Sequence, residues 1–351
     1  MIRIETGSRL HFGFLQLLSS NERRCGQENS VLTPSDSHGE PLSEARRNYG
    51  GIGLILQDPK IVVEIDEASK WKIEGFHCSR VEKIVHLFRQ KHDLDTQNAF
   101  KVQVLQAPAE HIGFGTGTAL SLAVTEALFL ANRFSFEGIL SLSQVTERGK
   151  RSAIGIYGYE QGGFLFEAGK TINPEIGEAG APFPISPLLE RHSFPENWKI
   201  GLLTIKQTSE WFGERENRAL AGISYAKGLD QQLHCLITQA ILPGIATNDF
   251  DRFARGLTEY NSLVGDQFAP IQGGRYAVRF VEELLPILIK NGLLAFGQSS
   301  WGPTFFIIGP EERFTPEFEM ALQMKIASLS SKEFHWQTTQ ARNHGRSVTI
   351  D

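Results

Sequence analysis

Residues 100–134 constrain the fold more tightly than any other stretch. An alternating run, FKVQVLQAP, leads to a glycine-rich turn, HIGFGTG, which opens directly into an apolar helix, TALSLAVTEALFLANRF. The glycines let the backbone approach a ligand, successive N–H groups converge, and the helix adds its positive end, so such a place binds phosphate or pyrophosphate. A tight turn that needs glycine only for its backbone angles would read the same way. The segment is not a P-loop, having no Lys-Ser/Thr, and Gly113, Gly115 and Gly117 do not form G-x-G-x-x-G.

The rest of the chain places this turn in an α+β protein of about two domains, as 351 residues suggest. Residues 1–14 and the run IGLILQD after Gly51 read as strands, and IVVEID (61–66) with WKIEG (71–75) as a hairpin or adjacent strands. Apolar spacing marks a helix over 79–92 with Ser79 as its N-cap, and further helices at 137–148, 228–242, 248–264, 276–291 and 316–328. Strands are expected at 198–205, on both sides of GQSSWGPT, and at 332–338. The polar stretch 19–48 is a long loop insertion, and the proline-rich stretch 173–197 is the domain boundary, giving domains 1–185 and 186–351.

Composition narrows function by exclusion. The net charge is −5 and no basic run tracks a nucleic-acid backbone, so nucleic acid is not an expected partner. No apolar stretch approaches the roughly 18 residues of a membrane span, and no signal core is evident, so a cytoplasmic protein is expected. Cys25, Cys78 and Cys235 lie far apart and read as reduced thiols. Glycine is in excess, 34 residues or about 10% against a usual ~7%, and it is clustered in turns.

Four further clusters are candidates for chemistry. Lys150, Arg151 and Ser152 place two cations beside a second glycine turn at Ala153–Gly155, although charge clusters are more often solvated faces. Arg9 and His11 end the first strand. In GQSSWGPT (297–304), Gln298, Ser299 and Ser300 crowd three hydrogen-bonding side chains beside Trp301, which a simple turn does not require. QGGRY (272–276) adds two glycines, an arginine and a phenol.

Taken in order, these segments resemble the GHMP kinase superfamily, with its P-x3-G-L-G-S-S loop. Here the loop runs Pro108, AEHI, GFGTGTA, with one extra residue and with Thr116–Gly117 in place of two serines. More narrowly, RLHFGFLQL, GGIGLIL, EHIGFGTGTALSLAV, GKRSAIGIYGYEQGGF, VGDQFAPIQGGRY and GQSSWGPT look like the β-ribofuranosylaminobenzene 5′-phosphate synthase family. The resemblance implies an N-terminal domain with a left-handed βαβ crossover and a C-terminal ferredoxin-like domain. It implies a reaction of 5-phosphoribosyl pyrophosphate with 4-aminobenzoate or 4-hydroxybenzoate, releasing carbon dioxide and pyrophosphate, in tetrahydromethanopterin biosynthesis. A homodimer is implied, with Mg²⁺ accompanying the pyrophosphate and no organic cofactor.

On this reading Gly113, Gly115, Thr116, Gly117, Thr118, Lys150, Arg151 and Ser152 bind pyrophosphate. Arg9, Gln298, Ser299, Ser300 and Trp301 hold the arene, and His11, Arg151 and Glu160 serve catalysis, His11 or Glu160 by moving a proton at the para substituent. No covalent nucleophile is required. Laid on the mevalonate-kinase-like pattern P-S-G-V-D-N-x5-G-G, residues 151–163 put Gly155 where the catalytic aspartate stands. A glycine supplies no general base, which weakens the rival reading of an ATP-dependent kinase of a small alcohol. A non-catalytic binding protein on the same scaffold is the other alternative.

Overall fold

The structure, a computed structural model, describes residues 1–17, 47–92, 98–171, 185–206, 218–220, 222–223 and 225–351. The loop insertion expected at 19–48, apart from its last two residues, lies outside the described residues, as do Cys25 and residues 173–184 of the proline-rich boundary.

Strand β1 (Ile2–Gln16) is buried on both faces for most of its length because it lies inside a sheet. It pairs antiparallel with β2 (Arg47–Ala68) from Ile2↔Ile65 to Gln16↔Tyr49. The runs IGLILQD and IVVEID are one 22-residue strand whose two halves meet different neighbours. The second half pairs with β4 (Ala99–Gln106), and the first half with β5 (Phe164–Glu167) and β6 (Lys170–Thr171). β7 (Leu188–His192) adds to β5. β3 (Lys72–Gly75) pairs in parallel with β4, not with β2. The expected pairing of 61–66 with 71–75 is therefore corrected: helix α1 (Cys78–Lys91) carries the chain across, and a crossover returns it parallel where a hairpin would return it antiparallel.

Helix α1 is capped at His77 with no side-chain hydrogen bond, so Ser79 lies inside the helix and is not its cap. Helix α2 (Thr116–Ala131) is apolar nearly all round and is buried accordingly, packed between the sheet and α1. Two short helices follow, α3 (Ile139–Val145) and α4 (Ile154–Gln161).

The second sheet is antiparallel, in the order β11-β8-β10-β9, from β8 (Trp198–Ile205), β9 (Ala295–Gln298), β10 (Thr304–Pro310) and β11 (Phe334–Thr339). Helix α5 (Leu229–Leu236) passes through a π-helical turn into α6 (Leu242–Ala246). The 23-residue α7 (Phe250–Gln272) presents Phe253, Leu257, Tyr260 and Val264 to the core. The stretch 279–290 is a 3-10 turn and then α8 (Leu285–Lys290), with Pro286 in the first turn of α8, where its missing N–H costs nothing. α9 (Pro316–Leu329) follows β10.

One hydrophobic core joins the two sheets, with Leu10, Phe12 and Leu54 packed beside Ile200, Leu202, Phe253 and Leu257. The C-terminal strand β12 (Ser347–Ile350), four exposed residues, returns to β1 in the register Ile2↔Ile350. Arg346, just before it, reaches back to the buried Glu126 of α2 at 2.7 Å.

Candidate active site

The phosphate turn is built by two close approaches. Gly115, at φ +66°, caps α2, and a Cβ there would meet Arg9 Nε at 2.9 Å, so the Arg9 side chain crosses directly over the helix start. The Arg9 N–H is fixed to the Phe114 carbonyl at 2.9 Å. Intrahelical bonding begins at the Thr118 N–H, leaving the Thr116 and Gly117 N–H groups open at the positive end of the helix. The Thr116 hydroxyl is already spent on the Ala109 carbonyl at 3.1 Å.

The 297–304 turn locks onto this loop from the second sheet. The Ser299 hydroxyl donates to the Gly113 carbonyl at 2.7 Å and accepts the His11 N–H at 3.2 Å, while Thr304 donates to the Ile112 carbonyl at 2.6 Å. A Cβ on Gly302 would lie 2.5 Å from the Ile112 carbonyl oxygen, so only glycine lets the two turns touch.

Between them is a cavity of about 420 Å³. Its walls hold Arg9, His11, Gly113, Gly115, Thr116, Gly117 and Thr118 from one side, Lys150, Arg151 and Ser152 from the second, and Ser300 and Trp301 from the third. The structure thus gathers most of the sequence-predicted site at one place. Gln298 and Ser299 are adjacent to it as struts: the Gln298 amide accepts the Ala277 N–H at 2.6 Å and donates to the Ser300 carbonyl at 2.8 Å, and Ser299 is fully buried. Glu160 does not reach the cleft. It lies near the end of α4, where its carbonyl packs under Gly345, so no proton-transfer role follows for it from this geometry.

No family model matches the sequence. The chain is similar to the β-ribofuranosylphenol 5′-phosphate synthase of Methanothermobacter thermautotrophicus, 25% identical over 301 residues, covering 80% of this chain and 89% of the relative. It is 24% identical to the protein of the same name from Archaeoglobus fulgidus over the full length of both. Among solved structures, the homoserine kinase of Cytophaga hutchinsonii aligns over 99% of this chain and 97% of its own, with TM-score 0.66 at 12% identity. The mevalonate diphosphate decarboxylase of Staphylococcus aureus aligns over 100% and 99%, with TM-score 0.55 at 12% identity. These likenesses show a GHMP-kinase-like fold for this chain.

Gly155 is the second residue of α4 and faces two residues of the cleft: a Cβ there would meet the Thr118 methyl at 3.3 Å and Arg9 Nε at 3.8 Å. The acid of the kinase pattern is absent where it would have touched Arg9. His11 is buried, and that burial, reinforced by the charges of Arg9 and Arg151, holds its pKa well below 6.5. The ring is therefore neutral, and its Nε2 has no hydrogen-bond partner within the protein. It faces a recess of about 30 Å³ lined by Phe14, Phe268, Gln272, Gln298 and Trp301, with Trp301 edge-on to Phe268 at 4.4 Å.

Sequence reasoning missed four charged groups of the cleft. Arg80 on α1 lies against Gly117 and pairs with Glu110. Burial pushes Glu110 up, but the bond and charge of Arg80 outweigh it and hold the carboxyl below its usual value. Arg148 is mostly buried, and that burial, with the nearby Arg80 charge, lowers its pKa to about 10. Glu147 pairs with Lys150 at 2.9 Å. Arg148 adjoins the cationic pair 150–151 and extends that signal, whereas nothing in the helical pattern of 79–92 distinguishes Arg80 from a solvated face.

Proposed function

We propose that this cleft joins 5-phosphoribosyl pyrophosphate to 4-hydroxybenzoate through carbon. The observation that carries the reading is the convergence, around one cavity, of a helix N-terminus, five cations and an aromatic turn, with glycine at position 155. The C1′–O bond breaks, pyrophosphate leaves with the electron pair, the arene carbon bearing carboxylate bonds to C1′, and carbon dioxide then departs. No oxidant or reductant is needed.

The open N–H groups of Thr116 and Gly117, with Arg9, Lys150 and Arg151, oppose the charge that develops on pyrophosphate, the kind of stabilisation worth most in a partly desolvated site. The arene is seated on Trp301 and Phe14, since the recess behind them is only the size of a water molecule. Neutral His11 offers Nε2 as acceptor to a para hydroxyl, which increases electron density in the ring as it attacks.

Glu110 and Glu147 are the carboxylates lining the cleft, and no cluster of three metal-ligating side chains occurs among the described residues. They fit Mg²⁺ that arrives with the pyrophosphate better than a dedicated protein cage, and the ion would supply charge neutralisation. The sequence alone leaves the para substituent open; the relatives' naming for a ribofuranosylphenol favours hydroxy over amino. The assay is incubation with phosphoribosyl pyrophosphate and each carboxyl-labelled benzoate. Labelled carbon dioxide, faster from the hydroxy compound, is expected. ADP formation dependent on a small alcohol and ATP, with no carbon dioxide, would install the kinase reading in its place.

A further inference from the structure

The mechanism above leaves unused one titratable group that lies directly behind it. Glu167 ends β5 and is fully buried, yet it touches two walls of the cleft. Its Oε2 accepts the N–H of Ala153, the cap of α4, at 2.7 Å. The Ser152 hydroxyl bonds the same carboxyl, and Arg9 from β1 acts on it as a nearby cation. On its far side Ser186 bonds the carboxyl and also accepts the Gly169 N–H at 2.8 Å, closing the pocket away from solvent. Lys170, itself largely buried, is the other cation close enough to favour the ionised form.

Buried carboxylates are costly unless paired and hydrogen-bonded; burial raises the pKa of this one, its serine and backbone hydrogen bonds and the Arg9 charge oppose that rise, and its Oε1 has no hydrogen-bond partner within the protein. Its partners are not distributed at random. Ser152 adjoins Lys150 and Arg151 in the chain, and Ala153 fixes where α4 begins, so one carboxyl holds the turn that carries two of the cleft cations. At Gly155 the cleft has no acid facing Arg9, and β5 supplies one from behind, where substrate does not reach it.

We propose that Glu167 is a positioning residue that fixes the Lys150–Ser152 turn for binding the pyrophosphate group. The inference rests on reading the cleft as a polyphosphate site. It differs from a purely electrostatic role in the sign of its consequence. Removing a negative charge near an anion site tightens anion binding if charge alone matters. Loss of the positioning contacts loosens it.

The experiment is calorimetric titration of the whole protein with inorganic pyrophosphate and Mg²⁺, for wild type, Glu167→Gln and Glu167→Asp, with thermal melts to confirm folding. Gln removes the charge, and Asp keeps the charge but withdraws it by one methylene. The expected result is binding weakened about tenfold or more in both variants, with the KM for phosphoribosyl pyrophosphate raised and that for the arene unchanged. In a Ser152→Ala background the loss from Glu167→Gln should shrink, because the two residues act together. Unchanged or tighter binding in a folded Glu167→Gln overturns the inference while leaving the polyphosphate site standing. If Gln does not fold, Asp decides, and wild-type affinity in Asp overturns it equally. A wild-type protein that binds no pyrophosphate refutes the cleft reading itself, and the inference with it.

Discussion

Gly155→Asp restores in one step the acid that this cleft lacks. Gly155 has no left-handed backbone angle to lose, and a Cβ added there lies 3.3 Å from the Thr118 methyl, so the side chain enters with a shift of a few tenths of an ångström. At the second position of α4 an aspartate favours the helix by about 0.3–1 kcal/mol, and replacing a helical glycine adds roughly 0.5 kcal/mol more. The variant should melt at the wild-type temperature or a few degrees above. Its function should fall. The added Cβ stands 3.8 Å from Arg9 Nε, which brings the carboxylate within about 4 Å of the guanidinium. At that separation, with an effective dielectric near 20, the attraction is about 4 kcal/mol, so Arg9 is diverted from an incoming anion. Solvent in the open cleft reduces the effect, leaving a loss of about 10- to 100-fold in pyrophosphate affinity by titration calorimetry. Gly155→Asn, of the same shape without the charge, should stay within about threefold of wild type. An Asp variant that binds pyrophosphate as tightly as wild type would refute the assignment of Arg9 as a phosphate ligand.

Other consequences are as direct. Gly302→Ala should push the 297–304 turn off the phosphate loop, lowering stability by about 1–3 kcal/mol and turnover by about 100-fold, as an ångström of misplacement does; wild-type turnover would show that the two turns need not touch. Arg151→Ala should cut kcat/KM by about tenfold or more, and unchanged kinetics would remove it from the phosphate set. His11 resists a proton that the unfolded chain accepts below about pH 6.5, so its contribution is intact above that value and is lost as pH falls beneath it, by up to about 1.4 kcal/mol per pH unit. Urea midpoints at pH 7.5 and 5.5 should therefore differ more for wild type than for His11→Gln, and equal differences would mean the ring titrates normally. Trp301→Ala should raise the KM for the benzoate with little effect on that for phosphoribosyl pyrophosphate, and a parallel rise in both would place the indole outside the arene site.

How much of this could be read from the chain depends on whether a residue's role is local. Gly113, Gly115, Gly117 and Trp301 announce themselves because the turns that hold them have unusual composition over a few consecutive residues. Arg9 and Arg151 flank such turns. Arg80 and Glu167 reach the cleft or its back wall only through tertiary packing: Arg80 interrupts an amphipathic helix as any surface arginine does, and Glu167 ends a short strand where burial depends on strands distant in sequence. Glu160 illustrates the opposite failure, a polar residue close to the right motif but turned by α4 toward the C-terminal segment. In the fold, β12 was invisible for the same reason, since four exposed residues become a strand only because the edge of β1 is there to receive them.

The claim that the cleft makes a carbon–carbon bond at the expense of pyrophosphate and carbon dioxide is tested most directly by stoichiometry. With phosphoribosyl pyrophosphate and carboxyl-labelled 4-hydroxybenzoate, the account predicts one labelled carbon dioxide for each pyrophosphate released, both abolished when either substrate is omitted. Pyrophosphate released without carbon dioxide, or neither product with both substrates present, would contradict it.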